Sequence, residues 1–139
     1  MLSTYNISNQ TVAVNGNLIF SDNQYQTGCS TLHTAGSTTI EVRCPGTYLL
    51  MFNGTAAATA AATEPISVQL YNGTTAIPGA AASELSASDT DIVNLAFGTI
   101  IQIRPSCPSI SNVGYLTIQN IGIEAEFSNV NLSVIKISC

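Results

Sequence analysis

Short runs of β-branched and aromatic residues, separated by glycine, asparagine and proline about every ten residues, limit this chain to a few folds. That spacing is typical of β-sandwiches and β-barrels. No segment keeps apolar residues at helical spacing behind a capping residue, and the alanine-rich tract 56–63 is closed by Glu64-Pro65. We therefore predict an all-β domain, in which 56–63 is a loop or strand extension, or alternatively a single helical turn.

The same spacing of glycine, asparagine and proline predicts about ten antiparallel strands in a globular domain over residues 11–139. An N-terminal arm over residues 1–10 precedes this domain. Asn53-Gly54 lies inside a long apolar run, so we interpret it as a bulge in place of a hairpin turn. The predicted strands are 11–20, 29–34, 38–44, 47–57, 66–71, 75–80, 91–97, 99–104, 115–127 with a break at Gly122, and 129–137.

The segment from Cys29 to Cys44 allows a register prediction. If Gly36-Ser37 is a two-residue type II′ turn, residues whose numbers add to 73 face each other, which pairs His33 with Ile40 and Cys29 with Cys44. The face that carries these four residues is then the more apolar one. We expect it to be buried.

Four cysteines leave several pairings open. The type II′ turn would put Cys29 and Cys44 at a hydrogen-bonded position, which is less favourable for a cross-strand disulfide. A Cys29–Cys44 bond, a Cys29–Cys107 bond and free thiols therefore all remain open, and we expect the terminal Cys139 to be free or intermolecular. None of the spacings is the close pairing that zinc favours.

Three strands are apolar on both faces. Residues 48–52 read Tyr-Leu-Leu-Met-Phe without alternation, and 100–103 and 134–137 are nearly as two-sided. A sandwich strand with one solvent-exposed face should alternate apolar and polar residues. An uncovered face of this kind would be an exposed apolar patch, so a second subunit or a folded-over loop must cover it, and we expect a subunit.

Composition excludes two classes of partner. Charged residues make up 8 % of the chain, and the net charge is −5. Three cations, Arg43, Arg104 and Lys136, are too few to neutralise a row of phosphates, so we expect no nucleic acid partner. No apolar run reaches the length of a membrane span, and the first residues lack a signal-peptide pattern, so we expect synthesis and assembly in the cytoplasm.

The segment from Pro45 to Phe52 resembles the Gly-x-Tyr-x-Phe-x-aromatic signature of the globular heads of the complement and tumour-necrosis-factor superfamily. Gly46, Tyr48 and Phe52 match it, whereas Leu50 replaces an aromatic residue. Over residues 11–137 the chain is similar to bacterial and phage versions of this head. These occur at the tips of collagen-like spore-surface glycoproteins and in phage head-fibre or decoration proteins.

The resemblance implies a jelly-roll β-sandwich that forms a compact homotrimer, with aromatic residues of the long strands near the threefold axis. It places Tyr48 and Phe52 in the core or the trimer interface. We assign Leu50, Tyr115 and Phe127 to the same set.

Residues able to support catalysis are sparse. The single histidine, His33, lies in no nucleophile or metalloprotease motif, so we predict a hydrogen-bonded structural role. Asp89/Asp91 and Glu124/Glu126 are spaced so that a strand would hold both carboxylates of a pair on one face, about 6–7 Å apart. We expect solvated acids, with a calcium site or glycoside hydrolysis as the alternatives. The predicted protein is not an enzyme and has no cofactor.

The resulting hypothesis is a trimeric module on the surface of a phage virion, in a head-decoration or head-fibre role. Its partners would be its own copies, a capsid or other virion protein, and a host surface glycan. Segments 56–63 and 105–113 are the exposed loops expected to make such contacts. The alternative is a glycan- or protein-binding adhesin head of a bacterial or spore surface protein.

Overall fold

The computed structural model of the chain describes residues 1–61, 63–86, 88, 90–104 and 113–138. Within these ranges the secondary structure consists of eleven strands, and no helix there could cross a membrane. The strands are β1 (Leu2–Asn6), β2 (Gln10–Val12), β3 (Asp22–Gln26), β4 (Thr31–His33), β5 (Ile40–Val42), β6 (Gly46–Ala58), β7 (Ile66–Asn72), β8 (Thr75–Glu84), β9 (Val93–Ile103), β10 (Gly114–Asn120) and β11 (Ala125–Ser138).

The strands form two sheets packed face to face. The six-stranded sheet has the order β3-β1-β11-β6-β9, with β2 also paired to β11, and the five-stranded sheet has the order β4-β5-β10-β7-β8. All the pairings are antiparallel. The chain crosses between the sheets six times: from β3 to β4, β5 to β6, β6 to β7, β8 to β9, β9 to β10 and β10 to β11. The predicted all-β jelly-roll sandwich is therefore confirmed.

The core lies between the sheets and follows from strict alternation along the long strands. In β6, Tyr48, Leu50 and Phe52 are buried, whereas the residues between them are partly or fully exposed. β11 contributes Phe127 and β9 contributes Leu95 to the same layer. Each such side chain contributes about 1.5–3 kcal/mol when it is fully buried.

The N-terminal residues differ from the expected arm. Leu2–Asn6 form β1, which pairs with β11 on one side and β3 on the other. The physical reason is that Leu2, Thr4 and Asn6 alternate with more exposed neighbours and turn into the core. Residues 1–10 thus supply β1 and the first residue of β2 to the six-stranded sheet.

Several strand bounds also differ from the prediction. The strand predicted over residues 11–20 ends at Val12. A turn follows it, in which the Gly16 N–H donates to the Ala13 carbonyl at 2.9 Å. β3 was not predicted. The predicted strands 91–97 and 99–104 are parts of one strand, β9, which runs through Gly98. The predicted break at Gly122 is confirmed, since β10 ends at Asn120 and β11 begins at Ala125.

The bulge expected at Asn53-Gly54 lies on the partner strand. β6 pairs regularly with β9 at Gly54, but the register against β11 shifts between Ser128 and Asn131. A Cβ on Gly54 would lie 2.6 Å from Cγ1 of Val130 and 3.2 Å from its Cα. Gly54 is therefore required by the close approach of the bulged strand.

Candidate functional site

The outer face of the six-stranded sheet, the side turned away from the five-stranded sheet, carries a contiguous set of apolar side chains. Leu49 on β6 pairs with Ile100 on β9 and with Ile135 on β11, so these three form a row across the sheet. Ile100 is 62 % exposed. Met1 continues this row beside Ile135, Met51 and Tyr25 lie in the neighbouring row, and all three are exposed. We call Met1, Tyr25, Leu49, Met51, Ile100 and Ile135 the outer patch.

The outer face of the five-stranded sheet has a different character. The pairs that flank its central strand β10 are Tyr115 with Glu41, Thr117 with Tyr71, and Gln119 with Gln69. Carboxylate, amide and hydroxyl groups therefore dominate a face that water can solvate. The contrast indicates that the outer patch is the surface that needs a cover.

Polar side chains continue the outer face beyond the outer patch. Asn53 and Asn131 face each other on β6 and β11. Their side-chain amides form two hydrogen bonds, of 3.1 Å and 2.9 Å, in which each residue donates once and accepts once. Next to them the Thr55 hydroxyl donates to the Ser128 carbonyl at 2.8 Å. The face thus changes from apolar to polar along the strands.

A groove opens at the β3 side of the outer patch. It has a volume of about 450 Å³ and lies between β3, β1 and β11. Leu2, Tyr25 and Ile135 line it, together with Met1, Ser3, Gln24 and Ser133. Met1 is held in place because its ammonium group donates to the Thr27 carbonyl at 2.9 Å.

The signature residues face the other way. Tyr48 and Leu50 are fully buried between the sheets, and Phe52 stacks on Phe97 with ring centroids 5.3 Å apart. The Tyr48 hydroxyl donates to the Cys44 carbonyl at 2.7 Å. These three residues pack inside their own chain, and Leu49 and Met51 between them face outward.

The other two residues assigned to this set are far from each other. Phe127 is 1 % exposed and belongs to the core. Tyr115 is 47 % exposed on the outer face of the five-stranded sheet, away from the outer patch. Sequence analysis found the apolar runs of β6, β9 and β11 but missed Met1 and Tyr25, since no alternation marks β3 as a strand.

His33 is buried in a network of hydrogen bonds. Its Nδ1 lies 2.6 Å from Oδ1 of Asn23 and 3.2 Å from Oγ1 of Thr4, and its Nε2 lies 3.0 Å from the Ser37 carbonyl. The ring also meets Phe20 edge to face. These contacts join β1, β3 and the β4–β5 connection, so His33 has a structural role.

The β4–β5 hairpin has the predicted register, in which Thr31 faces Val42 and His33 faces Ile40. The predicted turn is wrong. The Ser37 N–H donates to the Thr34 carbonyl at 2.9 Å, and Gly36, with φ of 86°, takes the left-handed position of that turn.

The wider loop changes the setting of the cysteines. The Arg43 N–H donates to the Ser30 carbonyl at 2.8 Å, so residues 30 and 43 are a hydrogen-bonded pair. Such pairs alternate with non-hydrogen-bonded ones, so a register continued past Thr31 and Val42 would put Cys29 and Cys44 at a non-hydrogen-bonded position. Both thiols are free in this structure. Cys107 and Cys139 lie outside the described residues.

Three of the carboxylates singled out in the sequence, Asp91, Glu124 and Glu126, lie at one end of the sandwich. Glu124 accepts a 3.1 Å bond from the Thr59 hydroxyl, and Glu126 accepts a 2.9 Å bond from the Asn9 amide. Asp91 is exposed, and Asp89 is outside the described residues. Among the residues described, no three His, Cys, Asp or Glu side chains come together as a metal site.

Charge is separated along the strands. We call the end where β6 begins and β9 ends the basic end, and the opposite end the acidic end. Arg43, Arg104 and Lys136 all lie at the basic end, where Arg43 pairs with Glu41 at 3.0 Å. At the acidic end the described carboxylates are Glu64, Glu84, Asp91, Glu124 and Glu126.

Comparison with known proteins reveals similarity in fold. No family model and no curated protein sequence matches the chain. The crystal structure of murine APRIL at pH 8.5 superposes with a TM-score of 0.68 at 11 % identity, covering 98 % of this chain and 97 % of that one. The PRD1 vertex protein P5 superposes with a TM-score of 0.58 at 14 % identity, covering 98 % and 95 %.

These structures define the class of fold. APRIL belongs to the tumour-necrosis-factor family, and the chain shares its jelly roll over nearly its full length. The chain therefore has a jelly-roll fold like that of APRIL, which is the fold that the resemblance at Gly46 implied. Gly46 itself is buried at φ of 144°, and a Cβ there would collide with the Ser138 carbonyl oxygen.

Proposed function

We propose that the chain is a non-enzymatic structural and binding module that forms a homotrimer on the surface of a phage virion. The observation that carries the proposal is the outer patch, an apolar surface on one sheet of a chain whose other sheet has a polar outer face. An apolar face of this kind needs a partner, and in most soluble oligomers the partner is another copy.

Two further observations support the proposal. TNF-like heads, which the chain resembles in sequence at residues 45–52, form threefold trimers. The PRD1 protein with the same fold is named a vertex protein, which makes a virion surface the preferred location. Its partners there would be capsid or other virion proteins.

The loops of the acidic end are the proposed contact region for a host surface glycan or protein. The β6–β7 connection begins at Thr59, and its described residues 59–61 and 63–65 are exposed. Rigid strands hold both of its ends, as is usual for binding loops on β scaffolds. Segment 105–112, the other expected loop, lies outside the described residues.

Light scattering of the purified chain tests the trimer. We expect a mass of three times 14.5 kDa for the wild type and of one chain for Leu49→Asp. Thr117→Asp, on the outer face of the five-stranded sheet, is the matched control and should remain trimeric. A circular dichroism spectrum of each variant shows that the fold is intact. A monomeric wild type would overturn the proposal.

The location needs a separate measurement. Gradient-purified particles and cell-surface washes from a culture that makes the protein can be compared by quantitative mass spectrometry. Co-sedimentation of the chain with capsid protein supports the virion assignment. Recovery of the chain only in the surface wash would replace it with the bacterial or spore adhesin.

A further inference from the structure

A second groove lies on the outer face of the six-stranded sheet, next to the apolar one and displaced from it toward the acidic end. It has a volume of about 370 Å³. We call it the polar groove, and its polar lining residues are Ser3, Tyr5, Gln24, Asn129, Asn131 and Ser133. Tyr5 of β1 faces Asn131 of β11, so these two strands form the floor of the groove.

Each of the two strands beside β1 has a β-bulge at the polar groove. On β3 the register against β1 shifts before Thr4, which leaves Gln24 without a facing residue. On β11 the register against β6 shifts between Ser128 and Asn131, and Asn129 within this bulge has φ of 50°. Bulges re-aim side chains and are frequent next to active sites. Here both of them place an amide side chain in the lining of the same groove.

The polar groove has hydrogen-bonding groups that the chain itself leaves unused. The amide of Asn131 is paired with that of Asn53. Within the part of the chain that the structure describes, the other polar side chains of the lining have no intramolecular hydrogen-bond partner, and these are Ser3, Tyr5, Gln24, Asn129 and Ser133. Amides and hydroxyls can each donate and accept. A ligand rich in hydroxyl groups would therefore meet donors and acceptors that are already in place.

The charge around the polar groove favours a neutral ligand. Among the described residues, its lining has no charged side chain. The nearby Asp22 faces Tyr5 from β3, and its carboxylate accepts a 2.9 Å bond from the Ser21 hydroxyl. The cations of the chain lie at the basic end. An anionic ligand would thus gain no cation and would be repelled by Asp22, whereas a neutral ligand leaves no charge without a partner.

The floor of the polar groove suits a sugar ring better than a peptide. β1 pairs with β11 on one side and with β3 on the other, so the floor has no strand edge to which an extended peptide could add. Tyr5 contributes an aromatic ring that offers an apolar surface and a hydroxyl together. A pyranose has a face of C–H groups that can pack on such a ring, and its hydroxyl groups project around the rim.

We propose that the polar groove binds a neutral saccharide. The Tyr5 ring packs against one face of the sugar, and the amides of Gln24 and Asn129 form hydrogen bonds with its hydroxyl groups. This inference rests on the binding role in the proposed function, and it adds a site on the sheet, apart from the loops of the acidic end.

Saturation-transfer difference NMR on the full chain tests the site. The probes are the methyl glycosides of glucose, galactose, mannose and N-acetylglucosamine, with sialyllactose as the anionic comparison. We expect a signal from at least one neutral glycoside. Asn129→Gly should raise the dissociation constant of that glycoside about fivefold or more, since it removes one hydrogen-bonding amide while glycine keeps the left-handed backbone.

The chain offers a matched control for this variant. Asn15 also has a positive φ, of 67°, and lies outside the polar groove, so Asn15→Gly makes the same chemical change without touching the site. It should bind the glycoside as the wild type does. Circular dichroism shows that both variants are folded. Equal effects of the two variants would overturn the inference.

The aromatic ring gives a second readout. Tyr5→Ala should also raise the dissociation constant about fivefold or more, because it removes the surface on which the sugar packs. Tyr115→Ala is its control, since Tyr115 is exposed on the outer face of the other sheet. If Tyr5→Ala binds as tightly as Tyr115→Ala, the sugar does not lie on Tyr5 and the proposed site is wrong.

Light scattering of the same samples separates this inference from the proposed function. A trimeric wild type that gives no signal with any neutral glycoside overturns the saccharide site and leaves the trimer intact. A signal from sialyllactose alone overturns the assignment of a neutral ligand. A monomeric chain that binds a neutral glycoside through Tyr5 and Asn129 supports the inference and overturns the trimer.

Discussion

The phenol of Tyr48 donates a hydrogen bond to the backbone carbonyl of Cys44, 2.7 Å away. Tyr48 is fully buried, so this bond anchors the β5–β6 connection to the core. Tyr48→Phe keeps the ring and should lower the free energy of unfolding by about 1 kcal/mol. Urea denaturation measures this change. Tyr115→Phe, on an exposed ring, should change stability very little, and an equal loss in both variants would contradict the assignment.

The His33 network should be more costly to remove. His33→Leu leaves the Asn23 side-chain oxygen and the Ser37 carbonyl without their ring partner inside the protein. We expect a loss of about 3 kcal/mol in the free energy of unfolding. Thr34→Ala, at the exposed neighbouring position, is the control and should be nearly neutral. A stable His33→Leu variant would show that the network carries little of the fold's stability.

Two glycines on neighbouring strands should respond differently to alanine. Gly54→Ala places a Cβ 2.6 Å from Cγ1 of Val130 and should destabilise the fold by about 1–3 kcal/mol. Gly98→Ala meets nothing closer than 3.8 Å, the Leu50 carbonyl oxygen. Thermal unfolding of both variants, at one protein concentration, checks the difference. If Gly98→Ala is the more damaging change, the packing account of Gly54 is wrong.

Oxidation is expected to join Cys29 to Cys44. If the β4–β5 register continues beyond Thr31 and Val42, the two residues face each other as a non-hydrogen-bonded pair, where side chains of facing strands come closest. A disulfide there closes a loop of about 15 residues and should stabilise the fold by about 3 kcal/mol. The measurement is urea denaturation with and without reductant in a Cys107→Ser/Cys139→Ser variant, so that no other thiol competes. Thiol titration that still finds two free groups after oxidation would contradict the prediction.

The sequence was a good guide where alternation and turn residues agree. It predicted an all-β sandwich or barrel, the strand around Tyr48 and the register of His33 against Ile40, whereas the jelly roll was implied by the family resemblance at Gly46. The predicted register is correct although the predicted turn is wrong. The connection between His33 and Ile40 is longer than a two-residue turn by the same number of residues on each side, so the same residues still face each other. β1 was assigned to the N-terminal arm, and β3 was missed because Asp22–Gln26 is polar apart from Tyr25 and becomes a strand only by pairing with β1.

The candidate site was harder to predict than the fold. The run from Tyr48 to Phe52 is apolar on both faces, and nothing in one sequence says which face meets the opposite sheet. The structure turns Tyr48 inward and Leu49 outward. Met1 and Tyr25 join the outer patch only through the pairing of β1 with β3, a contact between distant parts of the chain that no local pattern predicts.

The separation of charge makes the two ends of this molecule electrostatically different. With its cations at the basic end and most described carboxylates at the acidic end, each chain is an electric dipole directed along its strands. Copies related by rotation about an axis along the strands would have parallel dipoles, which add. Such a ring would turn its basic end toward a negatively charged surface before contact. The loops of the acidic end would then already face outward when it docks.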